Sequence, residues 1–450
     1  MTVLIQKGNL VLEDGVVTAD LRIEGETIAE IGQNLTAGPD EQLIDASGKY
    51  VMPGVIDAHV HFKMPLGNVY TIDNFETGSR SAACGGVTTT VDYADPLPGK
   101  SLVESLDYRR REARRSYLDH TFHMVITPEC NADRAALEEL KKYGVNSLKL
   151  FTTYGDMLNY EQIRDVMVLA KDVGLVVTVH AEDDRIIKDK IEELLAEGKD
   201  SPRYHAVSRP AEAEIQAVEK LVEFCRELDT SVHIVHVSSG ETAEVIRKAR
   251  EEGLRITGET CPHYLVLNDE VYEREDAQLF IMQPPLRKPQ DQELLWKNVA
   301  AGTFDLLTTD HCSYCEGQKV CNRTFHQTNG GIPGVETLLP VTFSEGVSKG
   351  RITVEQLSRM LSLNPARMFG LYPKKGTLKP GSDADVVIVD PEVEVTLEKE
   401  MLHSAADYSP FEGMKLIGYP VCTISRGTIL FRDGRFLVGE PEGRFASIHD

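Results

Sequence analysis

The chain has 450 residues, with 48 lysines and arginines against 71 aspartates and glutamates, for a formal net charge of −23 at pH 7. So acidic a surface argues against nucleic acid and anionic membrane as partners, and no run of 18 apolar residues offers a membrane span. Eight cysteines scattered between Cys84 and Cys422 do not make the dense framework of a small secreted domain, and Met1–Gly8 lacks the basic start and long apolar stretch of a leader. A reducing, cytoplasmic compartment is therefore expected, in which the sequons Asn34-Leu-Thr36 and Asn322-Arg-Thr324 are chance matches.

The opening residues read as short alternating strands, Thr2–Ile5, Asn9–Leu12, Asp20–Glu24 and Thr27–Ile31, punctuated by Gly8, Asp14-Gly15 and Gly25. From Val55 the texture changes. Eight strand candidates follow: Val55–His61, Thr88–Tyr93, His120–Ile126, Ser147–Phe151, Leu175–His180, Val232–Val237, Arg255–Glu259 and Asp305–Thr309. Amphipathic helices separate most of them, at Glu76–Ala83, Leu102–Tyr117, Ala132–Tyr143, Tyr160–Val173 and Thr242–Glu252. This alternation is the pattern of a (β/α)8 barrel. The rival, an open doubly wound sheet, would announce itself with a Gly-rich phosphate loop after the first strand, and none is present. The arginines 109, 110, 111, 114 and 115 of the second helix are expected on a solvated, ion-paired face.

At the far end strands return, Ala384–Val389, Pro420–Ser425, Thr428–Arg432 and Arg435–Val438, with Asp433-Gly434 as a hairpin signal. Each strand-rich end is too small to bury a sheet face alone. The two are expected to pair into one small β-sandwich domain, residues 1–52 and 375–450, beside a barrel at 53–374. The fold class is α/β, a TIM-like barrel with a β-sandwich built from both chain ends.

Metal-ligand residue types fall at the ends of five barrel strands. His59 and His61 leave the same face of the first. Lys149 lies near the end of the fourth, His180 ends the fifth, His236 the sixth and Asp310 the eighth. The C-terminal end of the strands is where barrel enzymes build their sites. A lone strand-end histidine is more often a satisfied core residue, and His123 and His233 are read so; five agreeing strand ends carry the weight. An ordinary lysine, with a pKa near ~10.4, is a poor ligand. Burial lowers that value, and the neutral amine can react with carbon dioxide to give a carbamate whose two oxygens bridge two cations. Alone, Lys149 would read as a core-edge lysine paired with a carboxylate.

The stretch Val51-Met-Pro-Gly-Val-Ile-Asp-Ala-His-Val-His61 resembles the signature of the amidohydrolase superfamily, and specifically its cyclic amidohydrolases of the hydantoinase and dihydropyrimidinase type. Supporting stretches are Gly258–Leu265, Gln283–Arg287, Thr309–Cys312, Asn329–Glu336 and Asn364–Arg367, while Pro202–His205 and Ala406–Pro410 look most like phenylhydantoinase-type members. The resemblance implies two divalent metal ions per subunit, with zinc the default. His59, His61, an N-carboxylated Lys149 and Asp310 would hold one; Lys149, His180 and His236 the other, with a hydroxide between them. Asp310 would shuttle the proton and Tyr154 would be the oxyanion donor. Backbone groups of Gln283 and Asn329 would bind the ring amides, although the branch often has serine where Gln283 stands. The implied reaction opens a small-molecule cyclic imide or ureide to an N-carbamoyl amino acid, in a homotetramer.

Within that family, Phe62-Lys63-Met64 replaces the arginine that dihydroorotases usually carry after the paired histidines, and allantoinases generally lack the counterpart of Tyr154. Both departures favour hydantoin or dihydropyrimidine rings. Met64, Leu66, Val69, Tyr70, Met157, Leu158 and Tyr160 are expected to form an apolar pocket for an exocyclic substituent. Two readings of other classes stay open: a non-catalytic scaffold, against which every ligand position is filled, and a one-metal deaminase using Glu182. Cys312, Cys315 and Cys321, in Cys-x2-Cys-x5-Cys, lack an obvious fourth ligand for a structural zinc.

Overall fold

The computed structural model describes residues 2–67, 69–321 and 324–449, so the Asn322 sequon lies outside the described residues. Eight parallel strands, Val55–Val60, Val87–Ala94, Asp119–Val125, Ser147–Phe151, Val176–His180, Ser231–Ile234, Arg255–Thr260 and Leu306–Leu307, pair in sequence order. The first two are buried at every residue, as strands covered on both faces must be. The ring closes through the first and last strands: Val60 bridges to His311, the His61 N–H donates to His311 O at 2.8 Å, and the Thr309 N–H donates to Asp57 Oδ1 at 3.2 Å.

Helices cover the ring. Phe75–Cys84, Leu102–Glu112 and Tyr160–Val173 begin in capping boxes at Asn74, Ser101 and Asn159, which satisfy the first free backbone N–H groups. The structure adds Asp184–Ala196, Ala211–Leu228 and Pro289–Ala300, which the sequence reading left unassigned. Arg109 departs from the expected solvated face. It is 6% exposed and donates to Asp92 Oδ1 from Nε at 3.2 Å and to Tyr93 O at 3.0 Å. The cause is register: Leu102, Leu106 and Arg109 share the inward stripe of their helix. Arg115 does lie on an exposed face, paired with Glu76.

Both chain ends build one nine-stranded mixed sheet. Its order is Arg435–Phe436, Thr428–Arg432, Lys415–Ser425, Val386–Thr396, Tyr50–Pro53, Thr2–Leu12, Gly15–Glu24 and Thr27–Gly32, with Gln42–Asp45 also pairing Thr2–Leu12. The antiparallel register Val386↔Pro53 to Val389↔Tyr50 is the seam between the ends. Val3, Leu10, Leu21, Ile23, Val386 and Ile424 share one apolar cluster, so the sheet curls over its own core. The two strands expected at Thr2–Ile5 and Asn9–Leu12 are one, with a bulge between Ile5 and Gly8 where left-handed Lys7 (φ 57°) gives its N–H to Asp20 at 2.8 Å. Asp433 and Gly434 both take positive φ, as a tight hairpin turn requires.

Sheet and barrel are locked by charge as well as packing. Lys375, 3% exposed, donates to Asp119 at 2.8 Å, Asp383 at 2.9 Å and Asp385 at 2.8 Å. The last residues leave the sheet for the barrel, where the His120 N–H donates to Arg444 O at 2.9 Å and the Ala446 N–H to His120 O at 2.8 Å. Among the described residues no helix is long and apolar enough to cross a membrane, and all eight cysteines are free.

Candidate metal centre

The barrel gathers the six strand-end residues into two adjoining donor groups. In the first, Nε2 of His59 and Nε2 of His61 each lie 3.1 Å from Oδ1 of Asp310, and the ligand atoms of this trio all fall within 4.8 Å of one another. In the second, Nδ1 of His180 lies 2.9 Å from Nε2 of His236. The rings of His59 and His236, with centroids 5.4 Å apart, join the two groups. Lys149 belongs to the same cluster: its Nζ lies 5.2 Å from the Tyr93 ring centroid, and that ring stacks on His61 at 4.6 Å.

Backbone geometry here is costly. Asp310 (φ 49°), His236 (φ 38°) and Tyr154 (φ 74°) all occupy the left-handed region that L-residues avoid. Both His236 and Asp310 stand just beyond the strands Ser231–Ile234 and Leu306–Leu307, shorter than the sequence suggested. Leaving the extended conformation there turns the side chains into the cluster, and such strain persists only where the surroundings hold it.

A tier of further residues holds the cluster in place; of them, sequence reasoning named only Glu182, in the deaminase reading. Glu259, 1% exposed, lies 2.6 Å from His59 Nδ1, accepts from the His236 N–H at 3.3 Å and contacts His233 Nε2 at 3.0 Å. Asp57 accepts from the His59 N–H at 3.3 Å and from Thr309, tying the first ligand strand to the last; burial pushes its carboxyl up to about 7 despite the Thr309 hydrogen bonds. Glu182 lies 2.8 Å from His180 Nε2 and pairs with Arg209 at 2.5 Å. Burial raises the Glu182 carboxyl, but the Arg209 charge and His180 more than offset it, leaving Glu182 well below the usual carboxylate range. A carboxylate so engaged is a positioning group, which removes the basis for the deaminase reading.

The donor set suits divalent cations. Glu182 keeps the proton of His180 on Nε2, so Nδ1 presents a lone pair toward His236 Nε2. The outward nitrogens, His61 Nδ1 and His236 Nδ1, are buried without a hydrogen-bond partner, so each ring's polar contact is the inward one. Burial lifts the Asp310 carboxyl, yet His59 and His61 hold it well below its ordinary value, and burial brings the Lys149 amine down to about 8 against the pull of Asp310 and Glu259. A carboxylate, inward imidazole nitrogens and an amine with weakened proton affinity are hard-to-borderline donors of the kind zinc and its neighbours take.

The remaining candidates are Tyr154, Gln283 and Asn329. The Tyr154 hydroxyl is 3.3 Å from His180 Nε2, and the residue as a whole is 38% exposed. Gln283 lies across Gly330, where a Cβ would come 1.7 Å from its Oε1. The neighbouring Asn329 O accepts from Lys319 Nζ at 2.8 Å. Cys312 donates to Gly330 O at 3.6 Å and so links this rim to the Asp310 loop. Of the expected apolar pocket, Leu66 and Tyr70 are exposed, but Leu158 and Tyr160 join the barrel core instead. Among the described residues no metal-ligand group includes Cys312, Cys315 or Cys321. A second trio, Cys84, Glu336 and His403, is closed on itself: Glu336 accepts from Ser81 at 2.9 Å and from the His403 N–H at 2.7 Å, with His403 Nδ1 at 2.8 Å, and burial raises the Cys84 thiol.

Comparison with known proteins agrees with this architecture. D-phenylhydantoinase of Escherichia coli O9:H4 (strain HS) is 39% identical over 450 residues, which cover 99% of this chain and 98% of that protein. Among solved structures, a D-hydantoinase superposes with a TM-score of 0.95 at 38% identity over 100% of both chains. The dihydropyrimidinase of Brevibacillus agri NCHU1002 superposes with a TM-score of 0.95 at 37% identity, over 99% of this chain and 98% of that one. Residues 50–430, the stretch that carries every ligand candidate, match the amidohydrolase family model, and the chain belongs to that family of metal-dependent hydrolases.

Proposed function

We propose that this protein opens a cyclic amide, a hydantoin or dihydropyrimidine ring, to the N-carbamoyl amino acid. The observation that carries the reading is the convergence of His59, His61 and Asp310 with His180 and His236 around the buried Lys149, in a chain similar throughout its length to D-phenylhydantoinase. His59, His61, Asp310 and an N-carboxylated Lys149 would hold one divalent cation, and Lys149, His180 and His236 a second, with zinc the default. Such cations supply Lewis-acid polarisation of a carbonyl and a water acidic enough to attack near neutral pH.

The chain's own residues supply the rest. Water adds to the ring carbonyl and the C–N bond breaks, leaving a carboxylate and a free ureido nitrogen. Asp310 takes the proton from the attacking water and returns it to the departing nitrogen. The Tyr154 hydroxyl donates a hydrogen bond to the carbonyl oxygen as negative charge develops there. Backbone groups of Gln283 and Asn329 hold the ring amides; the Asn329 carbonyl keeps a lone pair beyond the one Lys319 uses. Met64, Leu66, Val69, Tyr70 and Met157 favour an aryl or alkyl ring substituent. A homotetramer in a reducing compartment completes the reading, consistent with eight unpaired cysteines.

The test is relative kcat/KM of the metal-loaded enzyme on hydantoin, dihydrouracil, allantoin, dihydroorotate and phenylhydantoin. Turnover confined to allantoin or dihydroorotate, or none on any ring, overturns the assignment. Dihydrouracil turned over much faster than phenylhydantoin removes the apolar pocket alone.

A further inference from the structure

Arg209 is 6% exposed, in the connection between the short helix His205–Ser208 and the helix Ala211–Leu228. Its guanidinium spans two groups of the candidate site. Nε donates to Glu182 Oε1 at 3.2 Å and Nη2 to Glu182 Oε2 at 2.5 Å, while Nη2 also donates to the Tyr154 hydroxyl oxygen at 3.0 Å. The Tyr154 ring centroid is 5.2 Å from the guanidinium carbon.

We propose that Arg209 is a positioning residue for Tyr154: its N–H fills the hydroxyl oxygen's inner lone pair and directs the hydroxyl proton outward, toward the oxygen of a bound carbonyl. The inference rests on the reading of Tyr154 as oxyanion donor.

The argument is one of donors and acceptors. Arginine has no acceptor, so at the Arg209 contact the Tyr154 oxygen can only accept. His180 Nε2, 3.3 Å from that oxygen, is nearer Glu182 Oε2 at 2.8 Å. A carboxylate accepts only, so His180 keeps its proton on Nε2 and has nothing with which to accept from Tyr154. Neither polar neighbour can therefore accept from the hydroxyl, and its own proton is left free to turn away from both; the residue as a whole is 38% exposed. Donation from a charged group also polarises the O–H bond and makes it the stronger donor. Glu182 is the shared hinge of the arrangement: one carboxylate orients both the imidazole and the guanidinium.

If Arg209 served only as the counter-charge of Glu182, its loss would be felt through His180, metal retention and stability, whatever stood at position 154. A double-mutant cycle on the metal-reconstituted enzyme separates the two roles, with Tyr154→Phe, Arg209→Lys and the pair assayed for kcat, KM and bound metal. Tyr154→Phe should lower kcat by about 100-fold. Arg209→Lys, which keeps a charge beside Glu182 but lacks the fork to reach both partners, should lower kcat about tenfold with KM and metal content within about twofold. In the Tyr154→Phe background, Arg209→Lys should cost nothing further. An equal loss in both backgrounds, or metal loss preceding the loss of kcat, overturns the proposal. No effect of Tyr154→Phe alone overturns the reading of Tyr154 and the proposal with it. Should Arg209→Lys not fold, Arg209→Gln, which keeps an amide N–H without the charge, is carried through the same cycle and read by the same criterion of non-additivity.

Discussion

Oε1 of Glu259 lies 2.6 Å from Nδ1 of His59, across 200 residues of sequence and from the seventh barrel strand to the first. The contact fixes the proton on Nδ1 and turns Nε2 toward Asp310, the arrangement by which a carboxylate raises the basicity of a ligating imidazole. Burial lowers the affinity of His59 for a proton, yet Asp310 and Glu259 overcome it and leave the ring above its ordinary value. Glu259→Gln keeps the shape and removes the charge. It should weaken retention of the metal bound through His59 by about 10- to 100-fold, read as the chelator concentration that halves the bound metal. Unchanged retention would show that Glu259 serves only His233 and the backbone.

Lys149 has no natural place in a dry core as an ammonium; burial pulls it down to about 8 even against the attraction of Asp310 and Glu259. As a carbamate it gains a charge of the opposite sign and two acceptor oxygens. Lys149→Ala should therefore lower activity by more than the roughly 100-fold typical of groups that only support ligands, and should reduce bound metal per chain. A short carboxylic acid added to the Lys149→Ala protein should recover part of the activity by placing a carboxylate in the vacated space. Reconstitution of the apo wild-type protein should need bicarbonate. Full activity of Lys149→Ala, or reconstitution indifferent to bicarbonate, would rule out the carbamate.

His59, His61, Lys149 and His180 were legible because they lie on or at the ends of barrel strands, where alternation along the sequence sets a side chain's direction, whereas His236 and Asp310 lie past their strands and are turned by left-handed backbone that no periodicity records. Asp57, Glu182, Arg209 and Glu259 each also reach a residue 23 to 252 positions away, and no local pattern records those contacts; only Asp57 to His59 and Glu182 to His180 span two residues. Arg109 shows the opposite error: five arginines in one helix look like a solvated face, yet the inward stripe set by Leu102 and Leu106 passes through Arg109. The split of Thr2–Leu12 at Gly8 failed because Asp20, on the partner strand, captures the Lys7 N–H and lets the strand run on through a bulge.

His403, between the strands Val386–Thr396 and Lys415–Ser425, offers a pH handle outside the ligand cluster. Its Nδ1 is 2.8 Å from Glu336 Oε1, and that hydrogen bond lifts its pKa above the ordinary imidazole value. The folded protein then holds a proton that the unfolded chain begins to release near ~6.5. The stabilisation is complete below that pH and disappears as pH rises through the higher folded value. The wild type should unfold at a higher temperature than His403→Gln at pH 5.5, by an amount worth less than about 1 kcal/mol, and the gap should close toward pH 9. A gap constant with pH would assign the effect to packing.

Lys319 is fully buried, and its Nζ donates to Ile281 O at 2.7 Å, Asn329 O at 2.8 Å and Gly331 O at 2.7 Å. Burial pulls its pKa down to about 7. Three acceptors nonetheless call for three N–H groups, which the ammonium has and the neutral amine does not, so the geometry argues for the charged form at pH 7. Lys319→Met fills the volume and takes the donor from Asn329 O and Gly331 O, while Ile281 O keeps the Gly331 N–H at 2.9 Å; each unsatisfied carbonyl costs about 1–3 kcal/mol, partly offset by no longer burying a charge. A net destabilisation of about 2 kcal/mol is expected, seen as a lower unfolding temperature. The same lysine ties Ile281, two residues before Gln283, to the 329–331 segment, so KM should rise several-fold while bound metal is retained. Unaltered KM with a lowered unfolding temperature would confine Lys319 to holding the fold and would count against the placement of ring-amide contacts at Gln283 and Asn329.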